Sequence, residues 1–150
     1  TAEIAARVGE RLSKRGANVD VLDVRQVKDL AVYQAVVLGS AIRMGSILPP
    51  MLTFVKNHSA ELQSIPLSVF VACMTLETDT PENRETVSAY LDPLRAVAQP
   101  VNEGLFAGAV LLERLPLIER WMTKSIKSPV GDFRRWDQID AWAEDLPIRK

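Results

Sequence analysis

The residues best suited to chemistry lie where a dry segment ends. In AVVLGSAIRMGSILPP, Ala35 to Pro50, an apolar run meets Gly39-Ser40, and then come Arg43, Gly45 and a proline pair. Small residues let backbone N–H and C=O groups approach a ligand closely, and Arg43 adds a cation beside them. The corner Ser40 to Gly45 reads either as a plain strand-to-helix turn with a solvated arginine or as one wall of a ligand site. A second polar corner, Met74-Thr75-Leu76-Glu77-Thr78, follows the apolar run LSVFVAC at Leu67 to Cys73. It reads as a loop leading to a helix cap at Thr80 or as a second wall. No acid–base machinery accompanies these corners. His58 is the only histidine and Cys73 the only cysteine, so a multi-histidine metal site and an intrachain disulfide are both excluded. His58 sits late in a helix, off the apolar stripe, where a solvated ring is expected. Cys73 ends a buried strand, where a packed, inert thiol is expected. Neither is assigned a catalytic role. A third stretch, LLERLPLIERWMTKSIK at Leu111 to Lys127, sets Arg114, Arg120, Lys124 and Lys127 among Leu117, Ile118, Trp121 and Met122. It reads as a solvated amphipathic helix or as a lid offering cations and an apolar face.

These corners need elements to hold them. Ile4, Val8 and Leu12 fall four apart and predict a helix over Thr1 to Arg15, with Thr1 as its N-cap and Gly16 as its stop. NVDVLDV at Asn18 to Val24 alternates and predicts a strand. Gln34 to Gly39 is apolar at successive positions, which predicts a strand covered on both faces. Prolines favour helix starts, so Pro49 to Gln63 is expected to be helical. Leu67 to Cys73 is a third strand. Thr80-Pro81 opens a helix with a stripe at Val87, Tyr90, Leu91, Leu94 and Val97. Leu105 to Val110 is a fourth strand, Leu117 to Lys127 a short helix after Pro116, and Asp137 to Leu146 the last helix. Strands alternating with helices predict an α/β fold, a doubly wound parallel sheet in three layers. Ligands in such sheets bind outside the carboxyl ends of the strands, where both polar corners fall.

The bulk numbers narrow the partners. The chain has 150 residues, enough for one domain, with 47% hydrophobic and 25% charged. The formal net charge is -1, which gives no general pull toward nucleic acid. No apolar stretch is long enough to span a bilayer. A single cysteine fits a reduced, cytoplasmic setting.

The order of elements and the corner residues resemble flavodoxin-like FMN-binding domains, most closely the menaquinone-dependent protoporphyrinogen dehydrogenase family. Ser40-Ala41-Ile42-Arg43-Met44-Gly45 is similar to that family's flavin-side loop. Phe54 to His58 resembles the helix that follows, and Phe106-Ala107-Gly108-Ala109 the last strand. Arg120-Trp121-Met122-Thr123-Lys124 resembles the family's long insertion, at about 111–135 here, and Gly131 to Trp136 the lead into the last helix. The resemblance implies an FMN cofactor held by Thr1, by Ser40, Ala41, Ile42, Arg43, Met44 and Gly45, and by Thr75, Leu76, Glu77 and Thr78. It implies a quinone or porphyrinogen substrate met by Arg114, Arg120, Trp121 and Lys124, and contact of the 113–127 segment with the inner face of a membrane. The family's first strand and phosphate loop precede the first helix, and Thr1 stands at that loop's last hydroxyl position. The expectation is therefore one flavodoxin-like domain over 1–150 whose first strand is absent, with an unpaired groove between Val19–Val24 and Ala35–Gly39. Met44 stands where many relatives carry an aromatic, so a softer Met contact replaces ring stacking. Redox chemistry would then reside in the flavin, with no protein acid or base required.

Two other classes compete. An electron-carrier flavodoxin binds FMN without turnover; the near-neutral charge and the insertion argue against it. A receiver-like signalling domain needs a phospho-accepting aspartate where this chain has Leu38-Gly39-Ser40. A dinucleotide-binding domain lacks its Gly-x-Gly-x-x-Gly signal.

Overall fold

A computed structural model describes residues 1–119, 121 and 130–148. The elements run α1 (Ala2–Lys14), β1 (Val36–Arg43), β2 (Ser46–Ile47), α2 (Pro49–Asn57), α3 (Ser59–Ser64), β3 (Leu67–Cys73), α4 (Pro81–Ala89), α5 (Asp92–Arg95), β4 (Asn102–Ala107), β5 (Ala109–Val110), β6 (Gly131–Asp132) and α6 (Trp136–Glu144). The main sheet is ordered β2-β1-β3-β4. β1, β3 and β4 are parallel, with Val36 opposite Leu67 and Cys73 opposite Ala107.

Side chains along β3 alternate between two cores, as a two-fold pleat requires. Leu67, Val69, Val71 and Cys73 face one core, where Met51, Phe54, Leu62, Val87 and Leu94 bring in α2 to α5. Phe70 and Ala72 face the other, closed by Ile4, Val8 and Leu12 of α1 and by Ile139 and Ala143 of α6. The three-layer α/β fold is thus realised, with every β3 residue buried. Arg7 and Arg11 both hold Asp140, and Arg15 donates to the carbonyls of Ala143 and Leu146, so α1 is stitched to α6 by charge as well as packing.

Phe70 lies opposite Gly39 on one side and Gly104 on the other. Its ring spreads over the strand gap that Gly39 leaves: a Cβ there would stand 2.1 Å from Phe70 Cζ. Phe106 and Trp142 close around it at centroid distances of 6.1 and 6.0 Å. Gly39 is therefore a packing glycine, not a hinge for the corner that follows.

Four expected elements differ. The helix opened by Thr80-Pro81 stops at Ala89, and its apolar stripe continues through the turn at Tyr90-Leu91 into α5, where Pro93 starts a new helix. Residues 18–24 form no strand. A strand exists only as part of a hydrogen-bonded ladder, and this segment has no ladder partner among the described residues. Val19 and Val21 instead pack over Gly9 of α1, and Asp20 accepts a hydrogen bond from the Tyr33 hydroxyl at 2.9 Å. Correspondingly, among the described residues the edge of β1 away from β3 pairs at Ile42 and Arg43, with β2, and carries no strand along Val36 to Ala41. The helix expected over Pro49 to Gln63 is broken at His58, whose ring packs on Phe54 at 4.6 Å. The fourth strand starts earlier, at Asn102, and stops at Ala107 before the short β5. The helix expected over Leu117 to Lys127 falls mostly outside the described residues.

Candidate functional site

The first corner is a hairpin, not a loop. β1 continues through Ser40, Ala41 and Ile42 to Arg43, turns at Met44-Gly45, and returns as β2, with Arg43 opposite Ser46. Both turn residues have positive φ, 51° and 72°, the geometry that matches the twist of a two-residue hairpin. Gly45 adopts it freely; Met44 does so against its side chain. The tip rests over Tyr90, whose Cε1 would be 3.5 Å from a Cβ on Gly45. Met44 stands 99% exposed at the tip. Arg43 beside it is exposed and has no ion-pair partner among the described residues.

The hairpin sorts the six candidate residues. Ser40 is buried, and its hydroxyl donates to the Ala41 carbonyl at 2.8 Å and accepts from the Leu48 N–H at 3.3 Å. Its side chain secures the hairpin base and is already used by the protein. Ile42 packs against the core. Arg43, Met44 and Gly45 are the members of the set presented to solvent.

The second corner is a 3₁₀ turn, Met74–Glu77, at the carboxyl end of β3. The opening N–H groups of such a turn have no acceptor within it. Leu76 turns into the core, 2% exposed, so a ligand would meet only its backbone. Thr75 and Thr78 are exposed. Met74, Thr75, Glu77 and Thr78 line a shallow depression of about 340 Å³. A larger depression, about 600 Å³, runs along the outer side of α1 between Glu3, Arg7, Glu10 and Trp136. The smaller one lies where a parallel sheet offers a ligand site; the larger is a charged furrow on a helix flank.

The exit of the turn is held firmly. Asp79 receives Arg84 Nε and Nη2 at 2.5 and 2.8 Å, and Arg135 Nη1 at 2.5 Å. Arg84 and then Arg135 hold its carboxyl below the usual carboxylate range. Thr80 caps α4, its Oγ1 accepting from the Asn83 N–H at 3.2 Å, and the Asn83 side chain donates to the Thr78 carbonyl at 2.7 Å.

The segment that follows β5 is rooted beside this. β5 and β6 pair antiparallel, Ala109 with Asp132 and Val110 with Gly131. Glu3, in the first turn of α1, takes Arg114 on Oε1 at 2.6 Å and Arg134 on Oε2. The Arg114 and Arg134 guanidiniums bring the Glu3 carboxyl down to about 2. Arg134 also grips Asp132 through Nε and Nη2 and lies 4.7 Å above the Trp136 ring. Of the four residues expected to meet substrate, Arg114 is thus committed to Glu3, Trp121 is 73% exposed, and Arg120 and Lys124 lie outside the described residues. Thr1 is exposed at the start of α1, with no hydrogen bond from its hydroxyl to the helix. The roles of Glu3 and Asp79 have no signal in the sequence, because a carboxylate that neutralises an arginine from a distant segment leaves no local pattern.

The flavodoxin domain family matches residues 1–136. The chain belongs to the flavodoxin domain family. It is 28% identical over 160 residues to protoporphyrinogen IX dehydrogenase [quinone] of Escherichia coli strain K12, covering 97% of this chain and 87% of that protein. The same figures hold for the protein of that name in Escherichia coli O157:H7. The protein of that name in Leishmania major is 28% identical over 140 residues, 85% of this chain and 60% of its own length. No solved structure matches. Membership in this flavodoxin family implies a flavin, usually FMN, and the similar proteins are oxidoreductases by name. The donor set suits the ring side of such a cofactor: turn N–H groups, two threonine hydroxyls, an exposed methionine and an exposed arginine.

Proposed function

We propose that this flavodoxin-family protein is an FMN-dependent oxidoreductase that takes electrons from a porphyrinogen-type substrate and delivers them to a quinone. The observation that carries the reading is the similarity to protoporphyrinogen IX dehydrogenase [quinone] along 97% of the chain and 87% of that relative. The hairpin tip, with Arg43 and Met44, and the turn Thr75 to Thr78 would flank the flavin ring from two sides. FMN, when bound, supplies the exchange of a hydride or single electrons. The chain's own residues then bind and orient. Backbone N–H groups of the turn and the Thr75 and Thr78 hydroxyls meet polar ring edges. Met44 would offer the ring soft apolar surface. Arg43 would offset negative charge on the reduced cofactor. The side chains of Ser40, Ile42 and Leu76 hold these parts from behind.

The segment rooted at β5–β6 would meet the large substrate. Leu117, Ile118 and Trp121, 80%, 75% and 73% exposed, would supply an apolar face for a quinone or for the inner face of a membrane, in a stretch of sequence that also carries Arg114, Arg120 and Lys124. No helix among the described residues is long and apolar enough to cross a membrane; the contact we propose is a peripheral one, from the cytoplasmic side.

The test is spectroscopic first. FMN added to the purified protein is expected to give a shifted, structured visible spectrum. Anaerobic porphyrinogen is then expected to bleach it, and a quinone to restore it. Absence of FMN binding would sink the reading. Binding without bleaching would leave an electron carrier, which flavodoxin-family membership equally allows.

A further inference from the structure

Five of the described arginines, Arg43, Arg84, Arg114, Arg134 and Arg135, lie at or after the carboxyl ends of parallel strands, and their hydrogen bonds divide them. Arg134 spends its fork on Asp132, its remaining amino group on Glu3, and its face on Trp136. Arg84 spends its fork on Asp79. Among the described residues Arg43 has no ion-pair partner, and Arg114 is held by Glu3 alone, a half-exposed carboxylate. Arg135, like Arg114, has one carboxylate partner among the described residues, but its acceptor is the more deeply buried of the two. It gives Nη1 alone to Asp79 Oδ2 at 2.5 Å, and its Nε and Nη2 have no partner among the described residues. Its side chain is 40% exposed, whereas Asp79 beneath it is 17% exposed. Arg84 already neutralises Asp79, so the cluster carries one positive charge in excess, and that charge sits on Arg135.

Location gives this a use. Asp79 follows Thr78 directly, at the exit of the turn that lines the depression beside Met74 and Thr75. A guanidinium braced at one corner, with its Nε–Nη2 edge free, presents two parallel donors matched to a carboxylate. Glu77, in the same depression, disfavours a second anion there and steers an acidic group toward Arg135. We propose that Arg135, braced on Asp79, is the receptor for a carboxylate of the substrate, an apolar ring system bearing acidic side chains. The assignment rests on the oxidoreductase reading above and names the feature of the substrate that the site recognises.

The test uses the whole chain and two probes that need no turnover. Deuteroporphyrin IX carries two propionic acids; its dimethyl ester carries none that ionise. Titrations followed by tryptophan fluorescence are expected to show Arg135→Gln weakening the diacid about ten-fold, with the ester unchanged. Arg135→Lys, which keeps the charge and loses the fork, is expected to fall between the two. FMN affinity is expected to be equal in all three proteins. The proposal is overturned if the diacid binds the Gln variant as it binds wild type, or if both probes weaken alike. It is also overturned if FMN binding is what falls, or if wild type binds FMN but neither porphyrin. Loss of FMN binding by wild type itself would instead remove the oxidoreductase reading on which the proposal stands.

Discussion

Adding one methyl group at Gly39 should cost more than its size suggests. Gly39 is not in the positive-φ region, so alanine fits its backbone and by chain entropy alone would stabilise the protein by about 0.5–1 kcal/mol. The obstacle is Phe70. The new Cβ would stand 2.1, 2.4 and 2.8 Å from three ring carbons, against the roughly 3.5–4 Å that carbon contacts require. The ring has little room to retreat. It is 1% exposed, Phe106 and Trp142 enclose it, and Gly104 on the far side is itself filled by those two rings. Overpacking of this kind costs about 1–3 kcal/mol or more, and a 1.5 Å overlap lies at the upper end. Gly39→Ala is therefore expected to lose about 2 kcal/mol net and roughly 4–8 °C in melting temperature. The decisive measurement is a double-mutant cycle with Phe70→Leu in urea. Each single variant should be destabilised, and the pair should be more stable than their sum by about 1–2 kcal/mol, because the methyl occupies space the ring vacates. A Gly39→Ala protein as stable as wild type, or an additive cycle, would refute the packing role assigned to this glycine.

Met44→Gly should raise stability by about 1 kcal/mol in thermal unfolding, because it relieves a positive φ and sacrifices no buried contact. The same change should weaken FMN binding if the tip covers the flavin. Thr80→Ala should cost about 1 kcal/mol through loss of the α4 cap. Glu3→Gln tests by pH the ion pairs that root the segment after β5. The Glu3 carboxyl is lowered in the fold from 4.5 to about 2, so the ionised form is favoured there and its stabilisation is fully present above pH 4.5. That contribution fades as pH falls through about 2. The melting-temperature gap between wild type and variant should be flat near neutrality, close between pH 4.5 and 2, and shrink in high salt. A gap that persists at pH 2 would contradict the ion pairs.

Local pattern revealed those elements whose partners are generic. Leu67 to Cys73 is legible because burial on both faces demands an apolar residue at each position, and α1 because Ile4, Val8 and Leu12 mark one stripe. Thr80 is legible because a cap and a following proline form a local signal. Residues 18–24 misled because alternation reports that two sides differ, not that a ladder partner exists. Ser40 to Gly45 was found as a place but not as a shape: two consecutive positive φ angles at Met44-Gly45 make a hairpin, and methionine there is an unusual choice. Asp79 with Arg135 and Glu3 with Arg114 and Arg134 were out of reach, because each pair spans a long stretch of chain.

The ribbon of β5 and β6 has an evolutionary consequence. The segment between Val110 and Gly131 leaves and re-enters the fold at directly opposed residues, about 5 Å apart. Its contour length is therefore uncoupled from the sheet. Closing a loop twice as long adds only about 0.6 kcal/mol of entropy. A lineage can lengthen, shorten or exchange this segment while the three-layer body stays intact, and an engineer can graft a different one onto the same two strands.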